Sequence, residues 1–301
     1  MSQGVLVVGD VMTDVIVVPE GPIVKGSDRR ATVRNRPGGS GANQAVWLGA
    51  MGAPVIFAAR VGAGDRVMYE AYFRERGVEP KLAGDAELPS GVLVTLVDPD
   101  GERSFLTDRG ANLNLSTDDL PESLLDGVGM VMVSGYSFFA PGPREAVTGL
   151  FAAARARGIA IAIDPASVGF LAEAGSDAFI GWTRGADWLF ANRDEAAALT
   201  GVSDLTQQVQ MLGAHYAHVV VKCGAEGAVL GGRDGIALTA KAPVVPVADT
   251  TGAGDAFAAG FMAAHLAGSA PALALERGVA AGSRAVQSIG GQPDRGMFGG
   301  G

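Results

Sequence analysis

Asp249-Thr250-Thr251-Gly252-Ala253-Gly254-Asp255 sets two carboxylates at the ends of a short turn of small residues. The segment that follows, Ala256-Phe257-Ala258-Ala259-Gly260-Phe261, is apolar, small and suited to a helix. A helix beginning near Ala253 leaves its first N–H groups without partners, and with the positive end of the dipole they form an anion site. Asp255 then lies in the first turn, beside any anion bound there. Like charges repel, so a carboxylate next to a phosphate is a poor choice for binding alone. It makes sense as a base that takes the proton of a nucleophile attacking that phosphate. Gly62-Ala63-Gly64-Asp65 repeats the tetrapeptide, but no Asp-Thr precedes it and Arg66 follows, so that copy is read as structural.

Pro37-Gly38-Gly39-Ser40-Gly41-Ala42-Asn43-Gln44-Ala45 opens a second helix, roughly two hundred residues before Asp255. Gly38 and Gly39 can present backbone N–H groups to a ligand without steric hindrance. Asn43 offers both a donor and an acceptor, as a polyol requires.

Together the two stretches resemble the signatures of the ribokinase-like (phosphofructokinase B type) carbohydrate kinases, and the resemblance covers nearly the whole chain. It implies an ATP-dependent transfer of the γ-phosphoryl group to a hydroxyl of a small monosaccharide. Asp255 would be the catalytic base and Gly252, Ala253 and Gly254 the anion hole. Asp14, Gly38, Gly39 and Asn43 would bind the sugar. Arg109, and Arg103 before it, would face a carboxylate or phosphate of the substrate. Asn192-Arg193-Asp194-Glu195 matches an Asn-x-x-Glu element, so Asn192 and Glu195 would reach magnesium through water. Gly224, Glu226 and Gly227 would lie against the nucleotide, joined by Gly254 and Lys222. Asp249 and Thr251, with the turn Ser288 to Gln292, would hold a monovalent cation such as K+. The lid implied by the family would serve as a homodimer face.

Three positions depart from ribokinase itself: Ser40 stands at a Lys, Met12 at an Asn, and Tyr136-Ser137-Phe138-Phe139 lacks a carboxylate. The last two argue against ribose and put a ketose or keto-deoxy sugar acid slightly ahead. The near rival is a nucleoside kinase on the same fold, for which Phe105, Phe138 and Phe139 could supply an apolar face. A non-catalytic sugar-binding relative is the distant one, disfavoured by the intact Asp255.

The elements that must position these residues follow from patterning. Gly4 to Gly9 is a continuous apolar run ending in Gly, which predicts a strand buried on both faces. No G-x-G-x-x-G follows it and no G-x-x-x-x-G-K-[ST] occurs, so neither a dinucleotide fold nor a P-loop is expected. From Val128 onward strands and helices alternate, predicting a doubly wound, mostly parallel α/β sheet. Short β-rich segments between about 15–36 and 91–108, with Pro99-Asp100-Gly101 as a turn, predict a small antiparallel β-lid. With no linker or repeat visible, residues 1–301 read as one domain carrying that lid.

The formal net charge of −9 argues against nucleic acid and anionic membrane as partners. Two long uncharged runs are too broken by Gly and Pro to span a bilayer. One cysteine, Cys223, and no signal-peptide pattern fit the cytoplasm. His215, His218 and His265 lack the spacing of a zinc site and read as structural.

Overall fold

The computed structural model describes residues 4–97 and 103–294. The Pro99-Asp100-Gly101 turn lies outside them. The strands are β1 (Gly4–Val8), β2 (Met12–Pro19), β3 (Ala31–Gly38), β4 (Val55–Gly62), β5 (Glu79–Asp85), β6 (Gly91–Val97), β7 (Arg103–Asp108), β8 (Val128–Ser134), β9 (Ala160–Asp164), β10 (Trp188–Asn192), β11 (His218–Lys222), β12 (Ala228–Gly232) and β13 (Gly235–Ala240). The helices are α1 (Ser40–Ala50), α2 (Arg66–Arg74), α3 (Pro141–Ala156), α4 (Val168–Ala174), α5 (Ser176–Trp182), α6 (Arg193–Thr200), α7 (Leu205–Leu212), α8 (Ala253–Leu266) and α9 (Pro271–Ala285).

The main sheet runs β13-β12-β11-β10-β9-β8-β1-β4-β5, parallel except at β12 and β13. The apolar run of β1 explains its central place. Val5 and Val7 pack into the core under α1, α8 and α9, while Leu6 and Val8 pack into the opposite core with α3, α6 and α7. Chain order reverses at β1, which pairs with β4 on one side and β8 on the other. Loops leaving the carboxyl ends of β1 and β8 therefore diverge, and open α/β sheets bind ligands in that crevice.

The second sheet is the lid, ordered β3-β2-β6-β7. Sequence pattern predicts antiparallel hairpins, and β2–β3 and β6–β7 are such pairs. The central β2–β6 pair is parallel, because a whole βαβ excursion through α1, β4, α2 and β5 separates them. Hairpin patterning cannot see a pairing made at that distance. The lid strands leave Val18, Val33, Phe105 and Leu106 exposed. No helix among the described residues is long and apolar enough to cross a membrane.

Candidate active site

The carboxyl end of β1 and the start of α1 meet closely. Gly39 takes φ 97°, and a Cβ there would stand 2.5 Å from the carbonyl oxygen of Asp10. This approach lets the Asp10 carboxylate accept the N–H groups of Ser40 (3.2 Å) and Gly41 (3.3 Å) and the hydroxyl of Ser134 (3.1 Å). Asp10 thus fills the anion site of α1 from within and pins it at the sheet's switch point.

The N-terminus of α8 is built differently. Gly252 precedes it at φ 72°, and a Cβ there would collide with Gly291 at 2.5 Å. The N–H groups of Gly254 and Asp255 find no protein acceptor among the described hydrogen bonds. Asp249 secures the turn from below: its Oδ1 accepts the N–H (2.9 Å) and hydroxyl (2.8 Å) of Thr251, and its Oδ2 the N–H of Gly290 (3.0 Å).

The two glycine-rich helix starts converge on Asp255. Ser40 Oγ donates to Asp255 Oδ1 at 2.7 Å, Gln44 Nε2 to the same oxygen at 3.2 Å, and Asn43 Nδ2 to Oδ2 at 3.0 Å. The carboxylate keeps one face toward a cavity of about 800 Å³ and is otherwise ringed by protein. Burial first, and the charge of Asp164 second, push it up to about 7, against the pull of Asn43, Ser40 and Lys222. Such a group is a poised base near neutral pH.

One half of the cavity is lined by Asp10, Met12, Asp14, Gly39, Ser40, Asn43, Leu93, Thr107, Arg109 and Tyr136. Burial, with the charges of Asp10 and Asp249, pushes Asp14 up to about 7, and its Oδ1 has no hydrogen-bond partner. A buried acceptor left open in a cavity calls for a ligand hydroxyl. Gly38 does not line the cavity; its bare Cα lies against the Asp14 carboxylate, where a Cβ would stand 2.2 Å away. Arg109 Nη1 donates to the carbonyl of Tyr136 at 2.7 Å. Burial lowers its pKa while the charge of Asp10 opposes the shift, and no carboxylate lies within ion-pair distance among the described residues. Of the aromatic residues expected for a purine, Phe138 is fully buried in the core and Phe105 is exposed on the lid. Phe139 stacks on Phe170 and Phe179, and none of the three lines the cavity.

The other half is lined by Asp164, Ala166, Asn192, Glu195, Lys222, Gly224, Ala225, Gly227, Ala253, Gly254 and an apolar wall of Ala242, Pro243, Val244, Val245 and Val247, closed by Val279, Ser283 and Val286. Asn192 and Glu195 form a reciprocal cap on α6, each side chain bonded at 2.8 Å to the other's N–H. Burial raises Glu195, as does the charge of Asp164, while Lys222 opposes them. Lys222 Nζ donates to Asp164 Oδ2 at 2.7 Å. Burial alone would lower Lys222, but Asp164 and Glu195 hold it above its ordinary value. Glu226 turns away from the cavity to pair with Arg193 on the surface at 2.6 Å. Arg103 begins β7. The Gly62-to-Asp65 copy precedes α2 and stays outside it. His218 and His265 pack on Trp188, in keeping with structural roles.

Sequence reasoning missed Asp10, Asp164 and the apolar wall. Asp10 and Asp164 each end a predicted parallel strand, which is a usable signal for a ligand-facing carboxylate. The wall has no polar signature at all. Ala166, next to Asp164, is the one non-glycine residue with positive φ (71°) among the described residues. Strain of this kind persists where surroundings enforce it, and here it lines the cavity.

The model of the pfkB family carbohydrate kinase matches residues 2–295. The chain is 30% identical to 1-phosphofructokinase of Haloferax volcanii over 259 residues, covering 83% of this chain and 79% of the relative. It is 28% identical to fructokinase of Klebsiella pneumoniae over 295 residues, 91% of each. Against bifunctional protein HldE of Shewanella putrefaciens it is 30% identical over 83% of its own length but spans only 53% of the relative. Among solved structures, adenosine kinase from Sinorhizobium meliloti superposes with a TM-score of 0.85 at 24% identity, covering 97% of this chain and 96% of that one. Arabidopsis thaliana ribokinase complexed with ribose and ATP gives 0.79 at 26% identity, covering 99% and 98%. The fold is ribokinase-like, and the chain belongs to the pfkB family of carbohydrate kinases, phosphotransferases that act on an alcohol group.

Proposed function

We propose that the protein transfers the γ-phosphoryl group of ATP to a hydroxyl of a small monosaccharide, with Asp255 as base. One observation carries this reading. The Asp255 carboxylate, oriented by Ser40 and Asn43, faces the cavity beside the N–H groups of Gly254 and its own residue, which have no acceptor among the described hydrogen bonds. The sugar hydroxyl oxygen attacks the γ-phosphorus, its proton passes to Asp255, and the bond from phosphorus to the β-phosphate oxygen breaks to release ADP. The N–H groups at the head of α8 hold the charge that gathers on the transferring oxygens. Asp14 and Asn43 fix the sugar, since each offers the cavity a polar group suited to hydroxyls.

ATP fits the second half, where an apolar wall suits a base and Gly224, Gly227, Gly254 and Lys222 suit phosphates. Magnesium, when bound, would neutralise phosphate charge; Asn192 and Glu195, which line this half, would hold it through water. A monovalent cation near Asp249 and Thr251 belongs to the same reading, and exchange of potassium for tetramethylammonium tests it. The exposed apolar residues of the lid support a homodimer, which light scattering tests. The lone cysteine fits a cytoplasmic enzyme.

A ketose or keto-deoxy sugar acid is the favoured substrate. Met12 and Tyr136 line the sugar half where ribokinase has polar groups, and Arg109 brings it a cation with no carboxylate partner among the described residues. The nucleoside reading loses its support, because Phe105, Phe138 and Phe139 lie outside the cavity. A panel of fructose, 2-keto-3-deoxygluconate, ribose and adenosine, read by ADP release, tests the assignment. Ribose or adenosine as the single good acceptor would overturn the substrate reading.

A further inference from the structure

Lys222 and Asp164 close the carboxyl ends of β11 and β9, one strand apart across β10. Their charged atoms are 2.7 Å apart, with side chains 12% and 5% exposed. A Cβ on Gly254 would stand 3.0 Å from Lys222 Nζ, so the ammonium lies against bare backbone at the head of α8. The other oxygen of Asp164 accepts the N–H of Ala166 at 3.1 Å, the residue held at φ 71°. That bond turns Oδ2 toward the lysine. The strained backbone, the aspartate and the lysine form one chain of contacts ending at the anion site.

A long side chain buried without a partner would lose its proton or its position. We propose that Asp164 is a positioning residue for phosphoryl transfer, holding the Lys222 ammonium against Gly254 so that the arriving γ-phosphoryl group meets a fixed cation beside the α8 N–H groups. This rests on the kinase reading above. Lysine is a point charge on a flexible stem, so its usefulness depends on what fixes it. Glu195 faces the same ammonium but spends its hydrogen bond on the α6 cap, which leaves Asp164 as the direct partner.

The test is a double-mutant cycle on Asp164→Asn, Lys222→Met and the double variant, measuring kcat, sugar KM and the dissociation constant of ATP by titration calorimetry. Asp164→Asn is expected to lower kcat roughly 10- to 100-fold, the range of one lost charge-assisted contact, with sugar KM little changed. Lys222→Met lowers kcat at least as far. In the Lys222→Met background the Asp164 change has no further effect on kcat. Thermal midpoints fall in each single variant, which strands a polar or charged group, and recover in the double. An unchanged kcat in Asp164→Asn, or the same fold-loss in both backgrounds, overturns the proposal. Failure of the kinase reading looks different: the wild-type protein then transfers phosphate to none of the sugars. The cycle on ATP affinity still reads coupling in that case, and additivity there overturns the pairing.

Discussion

Asn43 donates to Asp255 over 3.0 Å across 212 residues of chain, joining the two glycine-rich helix starts at one carboxylate. With Ser40 on the other oxygen, the plane of the carboxylate is fixed before substrate arrives. Asn43→Ala removes one of these donors. A hydrogen bond to a charged group is worth about 1.5–3 kcal/mol, so kcat should fall about 10- to 100-fold. Steady-state kinetics on the best sugar checks this; a rise in KM with kcat unchanged contradicts it.

Burial and Asp164 push Asp255 up to about 7, and the base works only when ionised. Activity should therefore be lost as pH falls through neutrality. The hydroxyl of Ser40 favours the ionised form, so Ser40→Ala should move the acid limb of kcat/KM to higher pH. Asp164→Asn removes the opposing charge and should move it lower. Profiles that coincide for all three proteins would refute the assignment of that limb to Asp255.

Asp14 gives a stability prediction with an unusual sign. Its carboxyl is raised from 3.8 to about 7, so between these values the folded protein holds a proton that the unfolded chain has lost. Stability from this group falls as pH rises through that window and stays low above it. Asp14→Asn should stabilise the unliganded protein at pH 8 by on the order of 1–3 kcal/mol, a rise of several degrees in Tm, with no such gain at low pH. The same variant should lose sugar binding. Calorimetric scans at both pH values check the first claim and titration the second.

Gly252 has two reasons to be glycine: φ 72° and the backbone of Gly291 at 2.5 Å from its absent Cβ. Gly252→Ala must move the head of α8 or the C-terminal loop. Phosphoryl transfer should drop at least 100-fold, because the anion-binding N–H groups depend on sub-ångström placement. An active Gly252→Ala enzyme would show that this turn is not the anion hole.

The sequence exposed what carries local signals. The apolar run of β1, the α/β alternation after Val128 and the glycine turn before α8 can be read from a few neighbouring residues. The parallel pairing of β2 with β6 cannot, because residues 20–90 intervene and no local pattern encodes the partner. At the site, Asp255, Asn43 and Lys222 stand out beside glycines. Asp10 and Asp164 do not, since a carboxylate after a strand is also an ordinary loop residue. Glu226 misled for the same reason in reverse: its neighbours Gly224 and Gly227 line the cavity, while its own side chain finds Arg193 outside.

The central claim is that Asp255 takes the proton of the attacking hydroxyl. Asp255→Asn keeps size and can still accept the Ser40 hydroxyl through its one oxygen. Its amide nitrogen replaces the oxygen that Asn43 bonds, and a turn of the Asn43 amide presents its carbonyl there instead, so the cavity should survive. The decisive measurement is single-turnover phosphoryl transfer beside calorimetric binding of ATP and sugar for this variant. The account predicts near-normal binding and a rate at least roughly a thousandfold lower, about 4 kcal/mol of lost barrier lowering. A variant that binds both ligands and turns over at the wild-type rate would contradict it.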